Sequence, residues 1–426
     1  MSEHALHAII IGGGLGGLCL AQGLKKAGVR ASVYERDETP SSRLQGFRIH
    51  IDPQGSTALH ECLPADLWEI FDATGGDFSQ GFSVLTEQLE ELLTMGVNGE
   101  RPAEGIARHR SISRITLRHV LRAGLEDSVH FNKRFVRYEE MADGRLQAML
   151  EDGSSALGDV LIGADGVHSA VRKQYLPELN PVDTGVVALG GKVPLSAGVM
   201  SLAPVRLLDG PVMVLPPEPC SLFMAMWKRS AAAQEPLRHL GIEELPQGDE
   251  NYMILGLGGK PEFLGLERVD SSNGKALKDV MRRRAARWHP NLRKLVEMAD
   301  EREMSITPLR TSVEPAPWKT TRITLLGDAI HSMTPYRGIG ANIALKDAAL
   351  LSSKLAAADS GKTPLIDAIG EYEREMRKYA FAAVKASLKS MEQAVGEKSN
   401  SGFKIAKTAM RVINAVPVLK RRLIPA

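Results

Sequence analysis

Long hydrophobic runs, closely spaced cysteines and an excess of either charge are all missing from this chain of 426 residues. Its three cysteines, Cys19, Cys62 and Cys220, stand far apart in the sequence, with no metal-ligand spacing and an odd thiol left over. That pattern argues against a disulfide scaffold and leads us to expect a reducing, cytoplasmic setting. The 53 Lys and Arg against 51 Asp and Glu leave a net charge of +2, which makes no electrostatic case for nucleic acid. The longest apolar run, "AIIIGGGLGGLCLA" at 8–21, lacks a basic start and is broken by glycines, so it reads neither as a leader nor as a membrane segment. No repeat period, metal box or Ser-His-Asp set is evident, and the one low-complexity patch is an Ala run at 231–233. The one basic tract, "LKRR" at 419–422, reads by default as a solvated helix end. What remains is an ordinary globular composition, 43% hydrophobic and 24% charged, on a chain long enough for two domains.

Strand-like and helix-like signals alternate through the first third. "HAIII" (7–11) reads as a buried strand, 15–27 as a helix ending near Gly28, and "ASVYE" (31–35) as a second strand. This is a βαβ start, which implies parallel pairing. A helix is expected over 113–125, and a hairpin from 133–140 and 145–151 around Ala142-Asp143-Gly144. From about 180 to 300, short Val, Leu and Met runs broken by prolines suggest an antiparallel sheet, followed by helices around 276–299. The strand-to-helix pattern returns at "RITLLGD" (322–328), and long helices over roughly 343–357, 364–395 and 401–415 close the chain. The fold class expected is therefore α/β, a discontinuous Rossmann-like domain interrupted by a β-sheet domain and finished by C-terminal helices.

Three motifs carry chemistry. In "GGGLGG", Gly12, Gly14 and Gly17 fit G-x-G-x-x-G between a strand and a helix, and Glu35 ends the next strand. Gly12 permits the tight turn, Gly14 lets backbone approach a pyrophosphate, and Gly17 allows helix and strand to pack closely. The helix N-terminus offers unpaired N–H groups to phosphates, and Glu35 can accept both hydroxyls of a ribose without a 2′-phosphate. A tight turn with nothing bound would leave Glu35 unexplained. The second motif, "GADGVHSAVR" (163–172), places Asp165 after a strand and Ser169 and Arg172 on the helix that follows. The third, "GDAIHSMTPYRGIGAN" (327–342), again feeds a strand into an acid and then a helix. Three such loops can converge at the carboxyl edge of one parallel sheet, where open α/β sheets bind ligands.

Together these motifs resemble the single-component FAD-dependent monooxygenases, the aromatic hydroxylase family founded on para-hydroxybenzoate hydroxylase. The resemblance runs from about residue 5 to 360, and its third motif, at Gly327 and Asp328, continues through Pro335 and Gly340 to Asn342 and Asp347. It implies an FAD-binding domain in three parts, 1–75, 106–180 and 301–360, with a substrate-side hairpin at 76–105, a substrate domain at 181–300 and C-terminal helices at 361–426. It further implies that Glu35 holds the adenosine ribose, with Arg36 near the adenine, that Arg114 contacts FAD and that Asp328 binds the ribityl chain. Asp165 would serve both FAD and NAD(P)H. Gly327, Pro335, Gly340, Ala341 and Asn342 would form a backbone cradle for the flavin. Arg48, in "GFRIHI", matches the family's flavin- or nicotinamide-side arginine, with a plain surface salt bridge as the other reading. Arg118, one turn beyond Arg114, is a weaker candidate for FAD.

By the same resemblance, NADPH or NADH would reduce FAD, O2 would add at the flavin C4a, and the distal oxygen would pass to a small-molecule substrate. Arg48, His331 and Arg337 are the candidate catalytic residues. His331 reads either as a proton-handling group or as a structural hydrogen-bonding one, and Tyr336 is a second proton candidate. Arg337 and Ile339 depart from the relatives' pattern, where a small residue and Gly-Gln-Gly are usual. A cation there would stabilise the anionic reduced flavin, steer a substrate acid, or point to solvent. The apolar richness of 199–227 suggests a bulky apolar substrate, hydroxylated or epoxidised, or simply a sheet core. No Trp-x-Trp-x-Ile-Pro run of the halogenating cousins occurs. Rival readings are an FAD-dependent dehydrogenase or reductase without oxygen insertion, and a non-catalytic FAD-binding protein. The tail at 412–426 caps the domain or touches a membrane or partner.

Overall fold

In a computed structural model, residues 5–39, 47–77, 81–96, 105–229, 234–240, 251–267, 269–396, 400–416 and 418–420 are described. The Ala run at 231–233 and the last two arginines of the basic tract lie outside them. Five parallel strands form one sheet in the order Ile323–Leu325, Val160–Gly163, His7–Ile11, Arg30–Tyr34, Val129–His130. The sheet therefore gathers segments from the start, the second hundred and the last third of the chain. Strand His7–Ile11 lies at its centre with all five residues buried. Its consecutive isoleucines suit a strand covered on both faces, and each contributes about 1.5–3 kcal/mol by leaving water.

Helix Leu15–Lys26 turns Leu15, Leu18, Cys19 and Leu24 into the core and closes with Lys25 and Lys26 near its negative end. The ammonium of Lys26 then donates to the carbonyls of His60, Glu61 and Leu63 at the end of helix Pro53–Cys62. Between these helices, Cys19 and Cys62, distant in sequence, meet in the core. The hydrogen bond to Cys62 and then burial push the Cys19 thiol well above its usual range. The hairpin at 135–150 forms as expected, with Gly144 in the left-handed region at φ 79°, and gains a third strand, Ser155–Gly158.

A second, seven-stranded sheet runs Ser305–Thr311, Val182–Pro194, Tyr252–Gly259, Cys220–Trp227, Val212–Val214, Phe82–Leu85, Glu91–Met95. It is antiparallel except where Val212–Val214 meets Phe82–Leu85. Strand Ser305–Thr311 pairs with Val182–Pro194, past the boundary expected at 300. One face, with Cys220, Leu222, Met224, Leu255 and Leu257, packs on helices Gly274–Ala285 and Pro290–Glu297 through Leu277, Val280, Leu292 and Leu295. By strand alternation Phe223, Ile254 and the paired Gly190 and Gly256 face the other way, and these remain partly exposed.

Helix Leu365–Val395 joins the two sheets. Its first half packs Tyr372, Met376 and Phe381 into the core of the parallel sheet, and Met391 and Val395 meet Val186 and Leu309 of the other. The hydroxyl of Tyr372 donates to Leu325 O, and Thr320 and Thr324 donate to Glu373. These bonds fix the strand that leads into Gly327. Helix Asn400–Ala415 lies along the edge strand Glu91–Met95, where Thr94 N–H donates to Asn414 and Asn414 donates to Glu91. Its C-terminal end thus caps a sheet edge. No helix among the described residues is long and apolar enough to cross a membrane.

Candidate active site

The carboxyl ends of four strands lie in one line. Ile11 is in register with Tyr34 and with Gly163, and Gly163 with Leu325. The loops holding Gly12, Glu35, Asp165 and Asp328 therefore leave the sheet side by side. The glycines of the first loop divide by what surrounds them. Gly12, at φ 111°, would drive a Cβ to 2.4 Å from Ala164 O, and a Cβ on Gly17 would sit 2.1 Å from Gly12 O. Nothing among the described residues lies within 4 Å of the place a Gly14 Cβ would take. Packing alone requires the first and third glycines, while the space at Gly14 stands clear of the described residues. Helix Leu15–Lys26 begins beside that space with no side-chain cap, so its first amides point outward unclaimed by side chains.

Glu35 is buried, and its carboxylate accepts from Gly13 N–H at 2.7 Å and Asp37 N–H at 3.0 Å. Each oxygen keeps a further lone pair for a ligand hydroxyl. Arg118 stands 3.7 Å from Glu35 and 3.4 Å from Asp37, so it anchors this acidic corner. Arg36 is exposed and near enough to His168 to help depress that imidazole, after burial and the cations Arg310 and Lys173. It therefore lies on the side of the second loop.

In that second loop Asp165 Oδ2 accepts from Ala170 N–H at 2.7 Å and Val171 N–H at 3.3 Å, while buried Oδ1 has no partner among the described residues. Burial raises its carboxyl pKa, against the pull of Ser169 and these amides. Arg172, buried to 2%, donates to Leu179 O, to Val167 O and across to Ala329 O. It ties the second loop to the third, a role for which nothing in its sequence position gave a signal.

Gly327, at φ 60°, opens the third loop. Asp328 follows with an exposed side chain, although protein surrounds it on most sides. It stands on the floor of a cleft. The enclosing protein raises its carboxyl pKa, His331 and Arg114 lower it and Asp347 raises it, and solvent access moderates the net upward shift. Arg114 is likewise exposed, so the structure brings Arg114 and Asp328 to the same opening. His331 is placed differently from a proton-handling group in the cleft. It is 1% exposed, and its Nε2 donates to Asp347 Oδ2 at 2.5 Å behind the loop. Burial opposes its charge, but the Asp347 carboxylate wins and its pKa is raised. Of its two readings the hydrogen-bonding one fits this position.

Beyond the turn Pro335–Arg337, Gly338 takes φ 64° with nothing within 4 Å of an added Cβ. Helix Gly340–Asp359 then starts without a side-chain cap, leaving the N-terminal amides of Gly340, Ala341 and Asn342 without an acceptor among the described residues. The Asn342 side chain is committed elsewhere: its amide donates to His50 O and accepts from Asp52 N–H. Any cofactor contact of Asn342 thus falls to its backbone. Pro335 and Arg337 are exposed, and Arg337 forms no ion pair among the described residues. Tyr336 reaches Ser221 of the second sheet, and burial pushes its phenol to about 12.

Arg48 lies on strand Arg48–Ile51, which the Asn342 side chain joins to the start of helix Gly340–Asp359. Its N–H donates to the Tyr252 hydroxyl at 2.7 Å, its Nε donates to Ser111 Oγ at 2.9 Å, and burial lowers the guanidinium to about 10. It is still charged at neutral pH. No group of three or more His, Cys, Asp or Glu able to hold a metal occurs among the described residues.

Comparison with known proteins agrees with this geometry. Residues 10–72 match the NAD(P)-binding Rossmann-like domain, and 223–387 match the FAD binding domain. The chain is 29% identical to the dual O-methyltransferase/FAD-dependent monooxygenase elcB of Phaeosphaeria nodorum, over 95% of this chain and 48% of that protein. It is 30% identical to the similarly described CTB3 of Cercospora beticola, over 92% of this chain and 46% of the other. The chain spans about half the length of these curated relatives. A solved structure from Photorhabdus luminescens subsp. laumondii, described as an FAD containing monooxygenase, superposes with TM-score 0.80 at 37% identity, covering 92% of this chain and 99% of that one. The chain belongs to the FAD-dependent monooxygenases, as its three motifs led us to expect.

The residues present fit FAD. The clear space at Gly14, the Asp165 Oδ1 without a partner among the described residues, the open Asp328 carboxylate and the uncapped start of helix Leu15–Lys26 lie along one sheet edge, and the uncapped start of helix Gly340–Asp359 follows the third of these loops. A long ligand with a pyrophosphate in its middle and hydroxyls on either side needs such a row of donors and acceptors.

Proposed function

We propose that this chain uses FAD, NADH or NADPH, and O2 to hydroxylate or epoxidise a bulky, largely apolar small molecule of secondary metabolism, in the cytoplasm. The observation that carries this reading is a row of open polar groups on the first sheet together with the partly exposed Phe223, Ile254 and Gly256, which share the face of the second sheet that Tyr336 reaches at Ser221. Polar groups would hold the cofactor on one side of the cleft, and an apolar wall would receive the substrate on the other. The O-methyltransferase joined to the monooxygenase in two relatives suits the reading, because hydroxylation makes the oxygen that methylation then caps.

Each group has a task in this scheme. Glu35 accepts from the ribose hydroxyls, and the first amides of helix Leu15–Lys26 donate to the pyrophosphate. Asp328 accepts from the ribityl hydroxyls, with Arg114 favouring its charged form against burial. The amides of Gly340, Ala341 and Asn342 place the positive end of a 20-residue helix where negative charge gathers on reduction. Arg48 keeps a fixed cation on the strand bonded to the start of that helix, and Arg337 steers anionic ligands from the entrance. Bound FAD supplies the electron transfer and oxygen activation that side chains cannot. The protein orients the reactants and keeps water out.

The test is a reaction of FAD-loaded protein with NADPH or NADH, isotopically labelled O2 and candidate apolar aromatics. Labelled oxygen should appear in the product. An unlabelled product would replace oxygen insertion with dehydrogenation or reduction, and protein that NAD(P)H never reduces would argue against catalysis altogether.

A further inference from the structure

Two imidazoles beside the cleft have no part in the scheme above. His50 Nε2 and His109 Nδ1 are 2.7 Å apart, with the rings nearly parallel at 12° and their centroids separated by 4.9 Å. Strand geometry puts them together. Arg48 and His50 alternate with Ile49 and Ile51, so both project from one face of strand Arg48–Ile51 while Ile51 is buried on the other. Ser111 is the antiparallel partner of His50, and His109 lies two residues before it on the same side. The strand is in turn locked to the long helix, because Asn342 bonds to His50 O and to Asp52 N–H. The pair therefore adjoins the open amides assigned to the flavin.

Satisfied core histidines would be the plain account of such a pair, but both side chains are only half-buried. His109 is the more open of the two and His50 the more enclosed, so the pair spans a path from outside inward. Arg48 faces His50 and Asp52 faces His109. Arg110 is turned away to Asp72, and Lys346 of the helix is held by Gln54. Burial first, then His109 and Arg48, lowers His50 to about 3, and burial lowers His109 against the pull of Asp52. Both rings rest neutral, each with one N–H and one lone pair.

We propose that His50 and His109 form a proton relay into the cleft, an inference that rests on the flavin reading of the helix Gly340–Asp359 N-terminus. The overall reaction, substrate plus O2 plus NAD(P)H plus one proton to oxygenated product, NAD(P)+ and water, takes that proton from solvent. A solvent proton binds His109 Nε2, the His109 Nδ1 proton passes to His50 Nε2, and the His50 Nδ1 proton leaves toward the cleft. Both rings end as the other tautomer, with neither holding a net charge, and tautomer exchange resets them.

The first test needs no cofactor. NMR of the protein labelled with nitrogen isotope in histidine should show a coupling across Nε2···Nδ1, with both rings neutral at about pH 6.5, where an ordinary histidine is half-charged. Loss of the coupling, or ordinary titration of either ring, would overturn the relay. The second test follows proton uptake by an indicator dye as the FAD-loaded protein oxidises NADPH or NADH with O2 to H2O2, which also consumes one proton. His109→Gln should slow uptake by about 100-fold or more, with a larger solvent isotope effect, unchanged FAD affinity and recovery on adding imidazole. An unchanged rate, a loss that imidazole does not restore, or weakened FAD binding in this variant overturns the relay alone. Wild-type protein that takes up no flavin overturns the site reading and the relay with it.

Discussion

Behind the Gly327 turn, Asp347 accepts from Gly327 N–H, His331 Nε2 and Tyr379 Oη and is fully buried. In front of the turn, Asp328 is exposed and accepts nothing among the described residues. Two carboxylates of one motif are thus used in opposite ways. Asp347 is saturated by the protein and holds the loop in shape, whereas Asp328 keeps its acceptors for something the chain does not contain. Gly17 and Gly14 repeat the contrast in the first loop, one needed by packing and the other bordering clear space. Stability and ligand capacity occupy neighbouring atoms but separate ones, so substitutions should separate them.

The largest effect should come from Asp347→Ala. It strands a buried imidazole, an amide and a hydroxyl, at a cost of roughly 3–5 kcal/mol in denaturant unfolding. An unchanged midpoint would refute the structural role. The same node sets a pH dependence. Because the folded pKa of His331 is raised, its stabilisation is complete below the unfolded value of about 6.5 and is lost as pH rises through the folded value. Wild-type stability should show that decline and Asp347→Ala should not.

Next come the glycines. Gly17→Ala forces a methyl group onto Gly12 O and should cost about 1–3 kcal/mol of fold stability along with flavin retention. Gly14→Ala should melt like the wild type and bind FAD more weakly. Equal behaviour of the two variants in calorimetry would erase the contrast. Asp328→Ala should weaken FAD binding on the order of 10–100-fold, as expected for lost hydrogen bonds to a charged group, with the fold intact by circular dichroism. Full flavin retention would count against its assignment. The smallest effect is that of Tyr336→Phe, which removes one hydrogen bond of 3.3 Å and should lower stability by about 0.5–1.5 kcal/mol. A larger loss would mean that the hydroxyl supports more than Ser221.

The parts of this site that depend on local chain geometry were legible in the sequence. Gly12, Gly17 and Gly327 sit where strands turn into helices, and such turns impose spacing and φ requirements that sequence displays. The allocation of polar atoms was not legible, because it depends on distant partners. Nothing near Asn342 announces that its side chain belongs to His50 O and Asp52 N–H, nor that Arg172 reaches Ala329. His331 beside Asp328 reads as a reactive cluster until the fold puts Asp347 and Tyr379 behind it. The His50–His109 pair exists only through strand pairing, although the alternation in "RIHI" was a signal that Arg48 and His50 share a face. Likewise Ser305–Thr311 joins the second sheet through a long-range ladder with Val182–Pro194, which no local pattern marks.

The contact between Tyr336 and Ser221 spans from the turn that precedes helix Gly340–Asp359 to the second sheet. A Cβ on Gly258 would sit 2.0 Å from that phenol oxygen, so the ring occupies a socket shaped for it. The Pro335–Arg337 turn and the Cys220–Trp227 strand are therefore coupled as by a pin in a hinge. Any shift of the turn must carry the second sheet with it or pull the pin, and in this way one half of the molecule can report its state to the other.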